Sequence, residues 1–230
     1  MTCDPCEARL PNRLAAFSLY QEKAASYFSH VREDLIALMD NCRDGVVLDV
    51  GCGIGLTGRQ LRERGKAKVV FGVEKNPEAA QKAEAVLDQV WVGDVEETEL
   101  PFSANSLDCI LLGDVLEHLA DLWQTLKKLS GLVKGGGAVV ASIPNVRYWR
   151  IVRDLLLRGR WEYTDEGILD RTHLRFFTRR SITELFKGAG LAIEVFSYEP
   201  IRGKSRIFDV LTGGLFRDCL IRKFLIRARK

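Results

Sequence analysis

No run of eighteen or more apolar residues occurs in this 230-residue chain, which argues against a membrane-crossing helix. Its first residues, Met1-Thr2-Cys3-Asp4-Pro5-Cys6, lack the charged and apolar regions of a signal peptide, so a cytoplasmic protein is expected. Cysteines are few: the six are irregularly spaced, and Cys52 and Cys109 fall inside apolar segments, against a disulfide framework. Cys3 and Cys6 form one C-x-x-C pair, but no second pair or H-x-x-x-H follows, and structural zinc needs four ligands. No metal is therefore expected. Excess charge is scarce too, with a net charge of +3. It is uneven, however: from Ile201 to Lys230 there are nine Lys/Arg against two Asp/Glu, which suits either an anionic partner or a solvated basic tail.

A hydrophobic content of 47% over this length can bury one sizeable core, so residues 1–230 are read as a single domain. Apolar residues near helical spacing from Phe17 to Met39 predict an N-terminal helical segment over 17–41. Short runs rich in Val, Ile and Leu follow at Val46–Val50, Val69–Val73, Val90–Val92, Leu107–Leu112 and Ala138–Ile143, the pattern of strands buried on both faces. Helical stretches separate them at Gly58–Arg64, Pro77–Leu87 and Val115–Leu132. This alternation predicts an α/β fold, a parallel sheet with helices on both faces, whose ligands bind beyond the carboxyl ends of the strands.

The residues at those ends are glycines, acids and amides. After the first strand the spacing is G-x-G-x-G (Gly51, Gly53, Gly55), not the G-x-G-x-x-G of dinucleotide enzymes. Asp49, two residues before the first glycine, disfavours a pyrophosphate and suits a cationic amine. Glu74 lies nineteen residues past Gly55, where an acid accepts hydrogen bonds from ribose hydroxyls, and Asp94 is placed to accept from an adenine amino group. Glu74 and Asp94 also have a plainer reading as helix caps or first-turn acids.

The run Val47-Leu48-Asp49-Val50-Gly51-Cys52-Gly53-Ile54-Gly55, with Glu74, Gly93-Asp94 and Leu107-Asp108 leading to Leu116-Glu117-His118, resembles the successive signatures of class I S-adenosylmethionine-dependent methyltransferases. The resemblance covers about residues 46–144, the cofactor-binding core. It implies a Rossmann-like sheet of seven strands, six parallel and the last antiparallel, with strand six at Ile193–Tyr198 and strand seven at Phe224–Arg229. It also implies S-adenosyl-L-methionine as cofactor. Asp49 and the Gly51, Gly53 and Gly55 backbone would hold the methionine moiety, Glu74 the ribose, and Asp94 with Val95 the adenine, with Cys52 and Lys75 also among the cofactor-binding residues. Leu112 and Gly113 would supply backbone near the methionine end.

Residues 145–178 hold two of the four tryptophans, two tyrosines and many arginines, too much for a plain connection, and read as a substrate-recognition insertion. Trp149–Leu157 has helical spacing, and Trp161–Phe177 is expected to be loop or a short hairpin. Leu169-Asp170-Arg171-Thr172-His173-Leu174-Arg175-Phe176-Phe177-Thr178 resembles a segment of bacterial methyltransferases associated with glycosyltransferases, implying cell-surface sugar chemistry. Thr178 is then the expected N-cap of a helix Arg179–Lys187 closed by Gly188 and Gly190, opening a C-terminal part over 179–230.

Methyl transfer from a sulfonium needs chiefly positioning. A hydroxyl acceptor also needs its proton removed, for which His is best tuned. His173, beside an orienting Asp170, is the first candidate base and His118 the second; each also has a structural reading, and His30 is read as an ordinary helix residue. Asn145, Arg147, Tyr148, Arg171 and Arg175 are the candidate acceptor contacts. The arginines either grip an anionic acceptor or pair internally with Asp165, Glu166 or Asp170. Tyr20 and Tyr27 either lid the cofactor or belong to the core.

The leading reading is methyl transfer to a hydroxyl of a small-molecule or glycan-linked acceptor. Nucleic acid is not an expected partner, because the fourth strand ends in Leu112-Gly113-Asp114 and lacks the Asn/Asp-Pro-Pro-aromatic signature. A methyltransferase acting on nucleic acid or protein remains an alternative, as does a non-catalytic cofactor-binding scaffold, with a dehydrogenase further behind. Arg202–Arg222 mixes arginines with apolar residues, a pattern shared by an amphipathic helix at a membrane surface and by a segment packing on its own sheet.

Overall fold

The computed structural model describes residues 18–40, 42–201 and 203–230. Cys3, Cys6, Phe17, Asn41 and Arg202, named above, lie outside them. Seven strands, β1 (Cys42–Val50), β2 (Ala67–Glu74), β3 (Gln89–Val92), β4 (Leu107–Gly113), β5 (Val133–Pro144), β6 (Ala192–Tyr198) and β7 (Lys223–Arg229), form one sheet in the order β3-β2-β1-β4-β5-β7-β6. β7 is antiparallel to both β5 and β6, and every other pairing is parallel. Six strands thus share a direction and the last opposes them, as expected, with β7 inserted between β5 and β6.

The helices among the described residues are α1 (Glu33–Leu38), α2 (Leu56–Glu63), α3 (Pro77–Ala83), α4 (Leu122–Leu132), α5 (Trp149–Arg158), α6 (Arg179–Gly188), α7 (Lys204–Leu211) and α8 (Arg217–Leu220). Successive residues of the central strands enter opposite apolar layers, as the strand period of two requires. Leu48, Val50, Ile110 and Leu112 pack with Leu126 of α4 and Phe186 of α6, while Val47, Cys109 and Leu111 pack with Leu35 of α1 and Leu61 of α2. Three helices start on the side chains that suit them: Asn76 accepts from Ala79 N–H on α3, Asp121 from Gln124 N–H on α4, and Thr178 and Ser181 form a reciprocal capping box on α6.

Tertiary contacts interrupt several expected helices. The N-terminal segment is not one continuous helix but a helical turn over residues 18–21, a 3-10 turn (Ala25–Phe28) and α1. Its ladder is broken because the Phe28 carbonyl accepts from Ile54 N–H at 3.1 Å, while Arg32 N–H donates to Thr57 Oγ1 at 3.1 Å. Val115–Leu132 divides into a 3-10 turn (Leu116–His118) and α4, since the N–H groups of Ala120 and Asp121 donate to the Glu96 carboxylate at 3.0 and 2.6 Å. Residues 161–177 form a loop with isolated bridges instead of a hairpin ladder. The C-terminal amphipathic stretch becomes α7 and α8, separated by Gly213 and Gly214 at positive φ.

β1 and β4 are neighbours although β2 and β3 lie between them in sequence. The chain departs to one side of β1 and resumes on the other, and a crevice opens at that switch point.

Candidate active site

A cavity of about 910 Å³ opens beyond the carboxyl ends of β1, β2 and β4. Its floor is the glycine turn, where Gly51, Gly53 and Gly55 have φ of +70°, +55° and +81°. A Cβ on Gly53 would stand 2.5 Å from the Phe28 carbonyl oxygen, so only bare backbone fits both the conformation and the space. Gly53 N–H donates to Glu74 Oε2 at 2.9 Å. The other oxygen of that carboxylate accepts from the Tyr20 hydroxyl at 3.0 Å and Asn76 N–H at 2.8 Å. Burial raises the Glu74 pKa and these donors oppose the rise. Asn76, not Glu74, caps the following helix, which leaves Glu74 facing the cavity.

Asp49 is buried in the same wall, and burial pushes its carboxyl up to about 7 against the pull of Arg32. Two buried carboxyls beside bare backbone suit a cation, which restores their charge, and oppose a diphosphate. These residues therefore fit S-adenosyl-L-methionine. Cys52, Lys75, Asp94, Val95 and Gly113 also line the cavity. Lys75 Nζ lies 4.5 Å from the centre of the Tyr20 ring. Asp94 serves a turn as well, Oδ1 accepting from Glu96 N–H at 3.0 Å. The Leu112 side chain lies in the core.

Arg32 and Asp114 carry site electrostatics that sequence reasoning missed. The Arg32 guanidinium donates to Asp34, to Asp114 Oδ2 at 3.0 Å and to Ser142 Oγ at 2.7 Å; Lys223 Nζ reaches the same Asp114 oxygen at 2.6 Å. Burial would raise the Asp114 pKa, but Arg32 and Lys223 outweigh it and hold the carboxyl below its ordinary range. Asp114 stands directly after β4, a position that could have flagged it; Arg32 has no local signal.

His118, on the 3-10 turn after β4, lines the cavity. Its Nδ1 lies 3.1 Å from the Thr172 carbonyl oxygen. Nε2 is buried and has no hydrogen-bond partner among the described residues. Burial foremost, then His173, pushes the pKa down to about 3, so the ring is neutral near pH 7. With the proton on Nδ1 donated to Thr172, Nε2 presents a lone pair.

His173 stands behind that ring, with centroids 4.8 Å apart, and is not among the cavity-lining residues. Its expected partnership with Asp170 is not formed, because Asp170 is engaged elsewhere: Oδ2 accepts from Lys23 Nζ at 2.5 Å, and Oδ1 from the backbone and hydroxyl of Thr172 at 2.8 and 2.7 Å. The Ile168 carbonyl orients His173 instead, 3.0 Å from Nδ1. Ligand atoms of Glu117, His118 and His173 lie within 4.8 Å of one another. These three are residue types that can ligate a metal, a grouping that the sequence pattern does not show.

Of the five candidate acceptor contacts, only Arg171 lines this cavity, paired with Asp165 at 3.4 Å. Asn145 is wholly buried, and its amide donates to the carbonyls of Asp218 and Ile221 at 2.6 and 2.8 Å. Arg147 reaches Cys219 Sγ at 3.8 Å. Tyr148 lines a separate cavity of about 460 Å³. Arg175 donates to the Ala120 carbonyl and stacks 5.5 Å over Trp123. Tyr20, Lys23, Tyr27 and His30, from the N-terminal segment, also line the larger cavity.

The sequence model of a family described as "Methyltransferase domain" matches residues 20–194. An uncharacterized methyltransferase of Geobacillus sp. (strain WCH70) is 28% identical over 181 residues, covering 76% of this chain and 80% of the relative. A demethylmenaquinone methyltransferase of Lactiplantibacillus plantarum is 26% identical, covering 70% of this chain and 76% of the relative. Among solved structures, a SAM-dependent methyltransferase from Archaeoglobus fulgidus superposes with a TM-score of 0.66 at 18% identity, over 95% of this chain and 100% of that one.

Proposed function

Because this chain belongs to the methyltransferase domain family and takes S-adenosyl-L-methionine as its cofactor, we propose that it methylates a hydroxyl of a small-molecule or glycan-linked acceptor in bacterial cell-surface or sugar metabolism. When bound, the cofactor supplies an electrophilic methyl group on a sulfonium. Asp49 with the glycine turn would hold its methionine end, Glu74 its ribose, and Asp94 with Val95 its adenine.

The observation that carries the acceptor reading is the unpartnered Nε2 of His118. His118 takes the base's role in this reading, since it lines the cavity and His173 does not. The Thr172 carbonyl holds the ring in the tautomer that accepts at Nε2, and Thr172 and Asp170 oppose in part the burial that disfavours the imidazolium. Arg32, Lys223 and Asp114 form a charged wall of the same cavity. Asp170, Arg171 and Thr172 of the glycosyltransferase-associated segment line the cavity, which supports a sugar-linked acceptor. An anionic group on it would lean on Arg171.

Calorimetry with S-adenosylmethionine and NAD tests the cofactor assignment. Mass-spectrometric product detection against nucleotide sugars and glycan lipids tests the acceptor. Cofactor uptake without methylated hydroxyl product across that set would sink the acceptor reading and favour a scaffold.

A further inference from the structure

Two helices leave the sheet with apolar faces turned outward. α5 has no buried residue, and among the described side chains of α7 only Asp209 is buried. Leu156, Leu157, Val210, Leu211 and Leu215 are between 72% and 80% exposed. The α7–α8 turn is held in this pose, since Asp209 pairs with Arg217 at 3.1 Å and the Phe208 and Phe216 rings meet at 5.9 Å.

Topology puts both helices on one edge. β5 and β6 are each antiparallel to β7, so they point the same way. α5 follows the carboxyl end of β5, and α7 with α8 follows that of β6. That is also the edge where the cavity opens. The start of α5 is fastened to α8 by the bonds from Asn145 and by Arg147 on Cys219.

Charge decides what such a surface meets. Residues 147–160 contain five arginines and one acid, and residues 202–217 four Lys/Arg and one acid. Both segments join exposed leucines to an excess of basic residues, the composition of a helix lying in a bilayer interface, its apolar side in the acyl region and its basic residues at headgroup phosphates. No helix among the described residues is long and apolar enough to cross a membrane, so contact is along the surface.

We propose that α5 and the α7–α8 turn dock the carboxyl edge of the sheet onto an anionic membrane surface. This stands whether or not the chain transfers methyl groups. The test is co-sedimentation of the full chain with phosphatidylcholine vesicles, with and without phosphatidylglycerol. Circular dichroism and cofactor uptake verify folding of each variant.

Binding is expected only with phosphatidylglycerol, weakened by salt. Combining Leu156→Glu, Leu211→Glu and Leu215→Glu should weaken it at least about tenfold, and Arg206→Ser about fivefold. Absence of phosphatidylglycerol-dependent binding overturns the proposal, as does equal binding by a folded triple variant. A dimer in sedimentation velocity that the triple variant abolishes would also overturn it, assigning the face to a second copy.

Discussion

At the end of the cavity proposed for the cofactor, Asp49, Gly53, Glu74, Asp94 and Gly113 each lie within three residues of a strand terminus. The end proposed for the acceptor is built from segments far apart in the chain: His118 meets Thr172 across 54 positions and Lys23 meets Asp170 across 147. Strand tips inherit their placement from the hydrogen-bond register of the sheet, so local sequence suffices to position them. At the acceptor end, position depends on which side chains meet after the chain has folded. One end is therefore rigid by construction, and the other is held by individual bonds that can be removed singly.

Substitutions should reproduce that contrast. The largest effect is expected at the cofactor end: Gly53→Val forces a β-branched residue into a left-handed turn against the Phe28 carbonyl and should abolish cofactor uptake in calorimetry. Retained uptake would show that the turn can rearrange.

His118→Ala comes next, lowering kcat by about 10²–10⁴ with cofactor Kd unchanged, whereas His173→Ala should lower it less. The reverse order in single-turnover rates would transfer the base's role to His173.

A smaller effect follows from Asp49, whose carboxyl titrates near 7. Its protonated form cannot compensate a cationic ligand, so binding favours the carboxylate and releases a proton. Affinity for S-adenosylmethionine should then fall about tenfold per pH unit below 7 and level off above it, a slope that Asp49→Asn should remove. Calorimetry in buffers of different ionisation enthalpy reads the proton directly.

Asn145→Ala should cost about 1–3 kcal/mol of stability by orphaning buried carbonyls, measured by urea unfolding, with cofactor affinity intact. The mildest change is Tyr20→Phe, which removes one of the donors on Glu74 and should alter cofactor affinity by less than about tenfold.

Much of this molecule was legible before folding was considered. The runs of Val, Ile and Leu marked the strands because both faces of a central strand are buried, and the final two strands fell within one residue of their expected places. Thr178 was legible as an N-cap because its hydroxyl acts on its own helix. Less legible was the N-terminal segment, whose apolar spacing suits a helix although the glycine turn claims the Phe28 carbonyl. The arginines of 145–178 likewise signalled a special segment without showing that Asp165, Ala120 and Cys219 would engage Arg171, Arg175 and Arg147.

By itself, then, the sequence determined the order of strands and helices, the bare-backbone turn and the acids beside it, because each of these depends on near neighbours in the chain and on the two-sided burial of strands. Only the tertiary structure decided that Asp170 binds Lys23 rather than His173, that His118 faces the cavity, and that Arg32 joins Asp114. Those choices are made among competing partners of similar chemistry, and proximity in the folded chain, which no local pattern encodes, selects between them.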